Sequence, residues 1–88
     1  MTPSSFTFKM TVPNDPSLVA MVAEMARHVA DYAKLEAAAV EGFVERVRGA
    51  AATALTAAPG HSCLAVFAAA DGALNITIGG EKISQPLS

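Results

Sequence analysis

Side chains that could bind a metal or act as nucleophiles are few in this chain and lie far apart. The histidines are His28 and His61, and the one cysteine is Cys63. On a strand, His61 and Cys63 would point to the same face, yet they fall short of a complete tetrahedral zinc site. We interpret Cys63 as a buried structural residue and His61 as a loop cap, and we predict no metal site.

Two further arrangements could support acid–base chemistry. Ser62 follows His61 directly, but neighbouring residues on a strand point to opposite faces, and no acid is identifiable that would complete a triad. Glu41 and Glu45 would lie one turn apart on a helix, where carboxylates are ordinarily solvated. We therefore predict no catalytic residues and no enzymatic activity.

The first elements that would position these residues are a strand and a helix. Residues 6–12 alternate apolar and polar side chains, as a half-buried strand does. Asp15 suits an N-cap and Pro16 suits the first helical position, so a helix is predicted from about Pro16 to Lys34. Its predicted apolar stripe is Leu18, Val22, Met25, Val29 and Tyr32.

A second helix and two more strands are predicted to follow. The helix should end near Ala57, with Val40, Phe43, Val44, Val47, Ala51 and Leu55 as its buried stripe. Strands are predicted at 62–70 and 73–78, joined by the hairpin signal Asp71-Gly72. Residues 81–88 are interpreted as a frayed tail or a short edge extension.

These elements predict one small α+β domain over residues 1–88. The economical packing is a two-layer sandwich in β-α-α-β-β order, with two helices on one face of a three-stranded sheet. The strand at 62–70 is apolar on both faces, and the chain offers no third layer. We therefore predict that the face bearing residues 63, 65, 67 and 69 lacks cover, and that the protein forms a homodimer through the sheet.

Composition limits the classes of partner. The formal net charge is −2 and the six Lys and Arg residues are scattered, which argues against nucleic-acid binding. A single cysteine and an N-terminus without a signal-peptide layout favour a cytoplasmic protein. Residues 49–70 carry no formal charge, but Pro59 and Gly60 interrupt them before about 20 apolar residues accumulate, so no membrane span is predicted.

The segment that begins at Glu45 resembles a known motif. The conserved helix of histidine-kinase-like ATPases, in the form found in bacterial anti-sigma-factor serine kinases, reads Glu-x-x-x-Asn-Ala-x-x-His-Ala. Glu45, Ala50 and Ala54 match it, whereas Gly49 replaces the asparagine and Thr53 replaces the histidine. In that family the glutamate acts as a base and the asparagine holds the magnesium that bridges the nucleotide phosphates. The resemblance implies related architecture in which Glu45, Gly49 and Thr53 are vestigial nucleotide-site positions.

Other parts of the family's nucleotide site are also missing. Residues 76–81 lack the aspartate of the adenine-binding Asp-x-Gly-x-Gly box, and a glycine-rich lid would have to lie beyond Ser88. The resemblance therefore implies a regulatory protein-interaction module that binds no cofactor. Two alternatives stay open, namely a vestigial ATP-binding protein and a small structural α+β subunit unrelated to the ATPases.

The resemblance also implies where a partner would bind. In such families the first helix and the sheet edge carry partner contacts. The polar residues Glu24, Arg27, His28 and Asp31 recur at spacings of three and four on the first predicted helix. They form the candidate partner surface, and a transcription regulator is the class of partner that the family suggests.

Overall fold

The computed structural model describes residues 5–58, 60–70 and 72–87. Over these ranges the chain forms two α-helices and a four-stranded antiparallel sheet, which confirms the predicted α+β class. The elements are β1 (Phe6–Pro13), a 3-10 turn (Pro16–Leu18), α1 (Val19–Tyr32), α2 (Ala37–Thr56), β2 (Ser62–Ala70), β3 (Ala73–Ile78) and β4 (Glu81–Pro86).

The entry to α1 follows the predicted capping chemistry. The Ser17 N–H donates to Asp15 Oδ1 at 3.0 Å, and this hydrogen bond lowers the pKa of Asp15. Pro16 lies at the first position of the 3-10 turn that leads into the helix. After α1, Lys34 has a φ of 65°, a left-handed conformation that cannot continue a right-handed helix. This residue separates α1 from α2, at the end predicted for the first helix.

The predicted apolar stripe of α1 is wrong at one end. Tyr32 is 57% exposed, and the buried side of the helix instead contains three alanines beside Val22 and Val29, namely Ala23, Ala26 and Ala30. A helix that packs through alanines approaches its neighbour closely, so Tyr32 at its last turn lies beside the core rather than within it. For α2 the predicted stripe is confirmed, with Val40 half-buried and the others buried.

The sheet has a strand that sequence reasoning did not assign. Strand order is β1-β2-β3-β4, so the prediction of three strands is wrong, and residues 81–86 form an edge strand, the second of the two alternatives stated for this segment. A two-residue turn at Gly79-Gly80 pairs Ile78 with Glu81, and Gly79 has a φ of 59°, which favours glycine. In the other hairpin turn Gly72 has a φ of 74°, while Asp71 lies outside the described residues.

The face of β2 that we expected to be uncovered is in fact the core face. Ala65 and Phe67 are completely buried there, so this face does not support the expected homodimer, which stays a prediction that now depends on the open strand edges. The uncovered side of β2 carries Leu64, Val66 and Ala68, with Leu64 48% exposed. Alternation separates the two sets of side chains, but it does not say which set faces the helices.

The core lies between the sheet and one helical layer. Its largest fully buried side chains are Phe43, Phe67, Leu55, Leu74, Ile76, Ile78, Val12, Val22, Val44 and Val47. They come from both helices and from β1, β2 and β3, so a single apolar cluster joins the layers. Neither helix in the described ranges has the length and apolar character needed to cross a membrane.

Candidate functional site

The three vestigial positions lie on the solvent side of α2. Glu45, Gly49 and Thr53 are four residues apart, so they form one row along the helix, and all are exposed. The opposite side of the helix carries Val47 and Ala51, which are completely buried. The row therefore points away from the sheet rather than into an enclosed pocket.

Contacts of this row stay within α2. Glu45 Oε1 lies 3.5 Å from Arg48 Nε, and Thr53 Oγ1 donates to the Gly49 carbonyl at 3.2 Å. A Cβ added at Gly49 would meet nothing within 4 Å. Packing therefore does not require glycine at this position, and an asparagine side chain would have room.

The glycine pair near the end of the chain has a structural explanation. A Cβ on Gly79 would lie 3.4 Å from the Ala54 Cβ and 3.8 Å from the Cys63 Cβ. Both distances are ordinary van der Waals contacts, so the left-handed φ of 59° accounts for the glycine. Gly79-Gly80 is therefore a hairpin turn that packs on the helix, and phosphate binding is not needed to explain it.

The α1 polar face, formed by Glu24, Arg27, His28 and Asp31, contains three exposed residues and one restrained residue. Glu24, His28 and Asp31 are exposed. Arg27 is half-buried and forms ion pairs with Glu24, at 3.8 Å, and with Glu41 on α2. Its Nη2 donates to Glu41 Oε2 at 3.3 Å. Arg27 therefore links the two helices, and the other three residues are left to face a partner.

Glu41 should make stability depend on pH. The hydrogen bond from Arg27, and then its charge, lower the pKa of Glu41 below its ordinary value of 4.5. The stabilisation is thus fully present above the unfolded pKa and is lost as pH falls through the folded pKa. We expect Glu41→Gln to lower the urea midpoint at neutral pH and to match wild type in acid. Glu81→Gln is the control, because it removes the same charge from an exposed strand position; an equal effect of both variants would contradict the prediction.

Two surface grooves border His28. One has a volume of about 270 Å³, lies between β1 and α1, and is lined by Phe6, Phe8, Met25, His28, Val29 and Tyr32. We call it the apolar groove. The other has a volume of about 340 Å³, lies at the junction of the helices, and is lined by Arg27, His28, Asp31, Leu35, Ala37 and Val40. The α1 polar face therefore adjoins an apolar surface that our sequence predictions did not identify.

Aromatic rings shape the apolar groove. Phe6 and Tyr32 meet edge to face with ring centroids 5.1 Å apart, and Phe8 lies 5.9 Å from Phe67. Phe8 remains 39% exposed. The sequence signal was present, because Phe6 and Phe8 were predicted on one strand face, but we expected both rings and Tyr32 to be covered.

The histidine and cysteine of the β2 entry play structural roles. The His61 N–H donates to the Ala58 carbonyl at 3.2 Å, and the His61 carbonyl accepts from Asn14 N–H at 2.8 Å. His61 thus closes the loop through its backbone rather than its side chain. Cys63 is half-buried, and burial raises the pKa of its thiol. The described residues contain no cluster of three or more His, Cys, Asp or Glu side chains placed to bind a metal ion.

The chain matches no protein-family model, no curated protein and no solved structure in the comparisons. The kinship with histidine-kinase-like ATPases therefore stays a prediction from the motif that begins at Glu45.

Proposed function

We propose that this protein is a non-catalytic, cytoplasmic interaction module that binds a protein partner through α1. The carrying observation is the contrast between the two helices. On α1, His28 lines two grooves, Asp31 lines one of them, and exposed Glu24 lies one turn before His28. On α2, Glu45, Gly49 and Thr53 line neither of these grooves.

The chemistry of α1 suits recognition of a partner. Grooves beside His28 offer apolar area, and the exposed carboxylates of Glu24 and Asp31 offer charge at the rim. Protein interfaces commonly combine an apolar centre with a polar rim. Arg27 is already engaged by two carboxylates, so the polar face offers a partner mainly acceptors. The partner patch should therefore be basic, and a transcription regulator is the class that the family resemblance suggests.

The test compares two double variants with equal loss of charge. Glu24→Ala with Asp31→Ala removes two acids from the α1 polar face, and Glu45→Ala with Glu81→Ala removes two exposed acids elsewhere. We expect the first variant to lose the partner captured by wild type from the native host, and the second to keep it. Loss with the second variant and retention with the first would contradict the proposal.

Calorimetry with magnesium and ATP checks the absence of nucleotide binding. We expect no heat of binding for wild type. Gly49→Asn restores the asparagine of the family motif at a position where a side chain has room, and it tests whether that residue alone is missing. Millimolar or tighter binding by wild type that Glu45→Ala abolishes would favour a vestigial ATP-binding protein instead.

A further inference from the structure

The two outer edges of the sheet differ in what their backbone groups meet. Along an antiparallel strand, alternate residues direct both N–H and C=O toward one neighbour. At the end of β4, Leu87 N–H donates to the Gly72 carbonyl at 2.9 Å, so the backbone N–H and C=O of Gln85, two residues earlier, are also directed toward β3. The backbone groups of Ser84 and Pro86 are directed toward the outer edge. Backbone directions alternate in the same way along β1.

The β4 edge is closed to another strand. Arg46 on α2 donates from Nη1 to the Ser84 carbonyl at 3.3 Å and also binds the Gln85 side chain. Pro86 has no N–H to offer. A guanidinium that occupies the edge carbonyl and a proline at the next outward position both prevent strand addition.

The β1 edge is open in comparison. Asn14 N–H donates to the His61 carbonyl at 2.8 Å, so the even-numbered residues of β1 direct their backbone N–H and C=O groups toward β2. The alternate residues Thr7, Lys9 and Thr11 then direct both backbone groups outward, and Pro13, which has no N–H, occupies only the last outward position of the strand. Lys9 is the only charged side chain of β1.

Exposed apolar side chains gather beside this open edge. Four large apolar residues of the described chain are notably exposed, and three of them, Phe8, Met21 and Tyr32, lie on β1 or on the neighbouring side of α1. Met21, Met25, His28 and Tyr32 recur at spacings of four, three and four, so they form one row, which we call the α1 edge row. The row contains no Asp, Glu, Lys or Arg.

We propose that a second copy of this chain pairs antiparallel along the β1 edge, centred on Phe8, and joins the two four-stranded sheets into one. In this register Phe8 faces Phe8 of the second copy, and Phe6 faces its Met10. Thr7 faces Lys9 of the second copy, so each cation meets a neutral hydroxyl. A pairing centred on Lys9 would instead place two ammonium groups opposite each other, which is destabilising.

The helices complete the interface. A two-fold axis perpendicular to the sheet keeps both helical layers on one side, so the α1 edge rows of the two copies face each other. Neither row contains Asp, Glu, Lys or Arg, so contact between the rows places no two carboxylates and no two Lys or Arg side chains together. Specific interfaces bury about 800 Å² on each partner, more than strand pairing alone supplies, so Met21 and Tyr32 are required contributors. The second copy covers the apolar groove, so the partner proposed for Glu24 and Asp31 is left the groove at the junction of the helices.

Sedimentation of the full chain tests the interface with matched charge variants. We expect wild type to dimerise and Tyr32→Lys to raise the dimer dissociation constant by about tenfold or more. Leu64→Lys places the same charge at the exposed apolar residue of the opposite sheet face and should leave the dimer intact. A wild-type monomer at millimolar concentration, or a dimer that Leu64→Lys disrupts and Tyr32→Lys does not, overturns the proposal.

Cross-linking tests the register in a background that lacks the native thiol, Cys63→Ser. With an added oxidant, Phe8→Cys should form a covalent dimer, because Cβ atoms in a non-hydrogen-bonded pair lie at or below about 4.5 Å, within the span of a disulfide. Thr11→Cys is the control on the same strand, and it should stay monomeric because Thr11 would face Ser5 of the second copy. Cross-linking by Thr11→Cys but not by Phe8→Cys overturns the register. Circular dichroism of each variant checks that it is folded.

Discussion

Phe67→Ala is expected to lower the free energy of unfolding by about 3–5 kcal/mol, the usual cost of deleting a buried aromatic ring. Phe67 is completely buried on β2, an interior strand, with Ile76 opposite it on β3. Small domains are stable by about 5–15 kcal/mol, so the loss should bring the protein close to unfolding. Urea denaturation followed by circular dichroism measures the change.

Phe8→Ala is the matched control for this prediction. The two rings are neighbours, with centroids 5.9 Å apart, but Phe8 is 39% exposed and lies on an outer strand. Less of its surface leaves water on folding, so its removal should cost less than half as much in dilute, monomeric protein. Equal costs for the two variants would contradict the burial described for β1 and β2.

Asn14→Asp is expected to lower the free energy of unfolding at neutral pH by about 2–4 kcal/mol. Asn14 Nδ2 donates to the carbonyls of Ala57 at 2.7 Å and Ala58 at 3.2 Å, which joins the end of β1 to the end of α2. A carboxylate of the same shape cannot donate, and it would place negative charge beside carbonyl oxygens at a helix C-terminus. Thermal and urea denaturation measure the loss.

The pH dependence of this variant has a definite sign. Two carbonyls beside the new carboxyl disfavour its charged form, so its folded pKa is raised above the unfolded value of about 3.9. Protonation of the new carboxyl therefore restores part of the free energy of unfolding that the substitution removes. This restored part is fully present below the unfolded pKa and is lost as pH rises through the folded pKa. Asn75→Asp, the same change at an exposed β3 position, should have little effect. Comparable losses in both variants would mean that the contact with α2 does not stabilise the fold.

Strong local signals explain which elements could be predicted. Asp15 and Pro16 mark the start of the first helical segment, and the spacing of Phe43, Val47 and Ala51 identifies the buried side of α2. Each of these signals acts within a few residues of its own position. Local chemistry was therefore sufficient for the two helices and for β1, β2 and β3.

The features that sequence reasoning missed depend on contacts between distant residues. Residues 81–86 have only Ile83 as a large aliphatic side chain, so β4 gives a weak pattern, and its pairing with β3 fixes it. Arg46 reaches Ser84 and Arg27 reaches Glu41 only because the helices and sheet have assembled. On β2, Phe67 lies inward between the small residues Ala65 and Ala69 while Leu64 lies outward, so the apolar side chains of the two faces did not indicate which face is buried. The apolar groove follows from the same assembly.

The contrast between the two sheet edges limits how far self-association can proceed. Arg46 and Pro86 stop strand addition at β4, so each molecule offers a single docking strand. Once two molecules have paired through β1, neither retains an accessible edge for a third. Fibrils grow by unlimited edge-to-edge stacking, and in the proposed dimer such growth would end after one step.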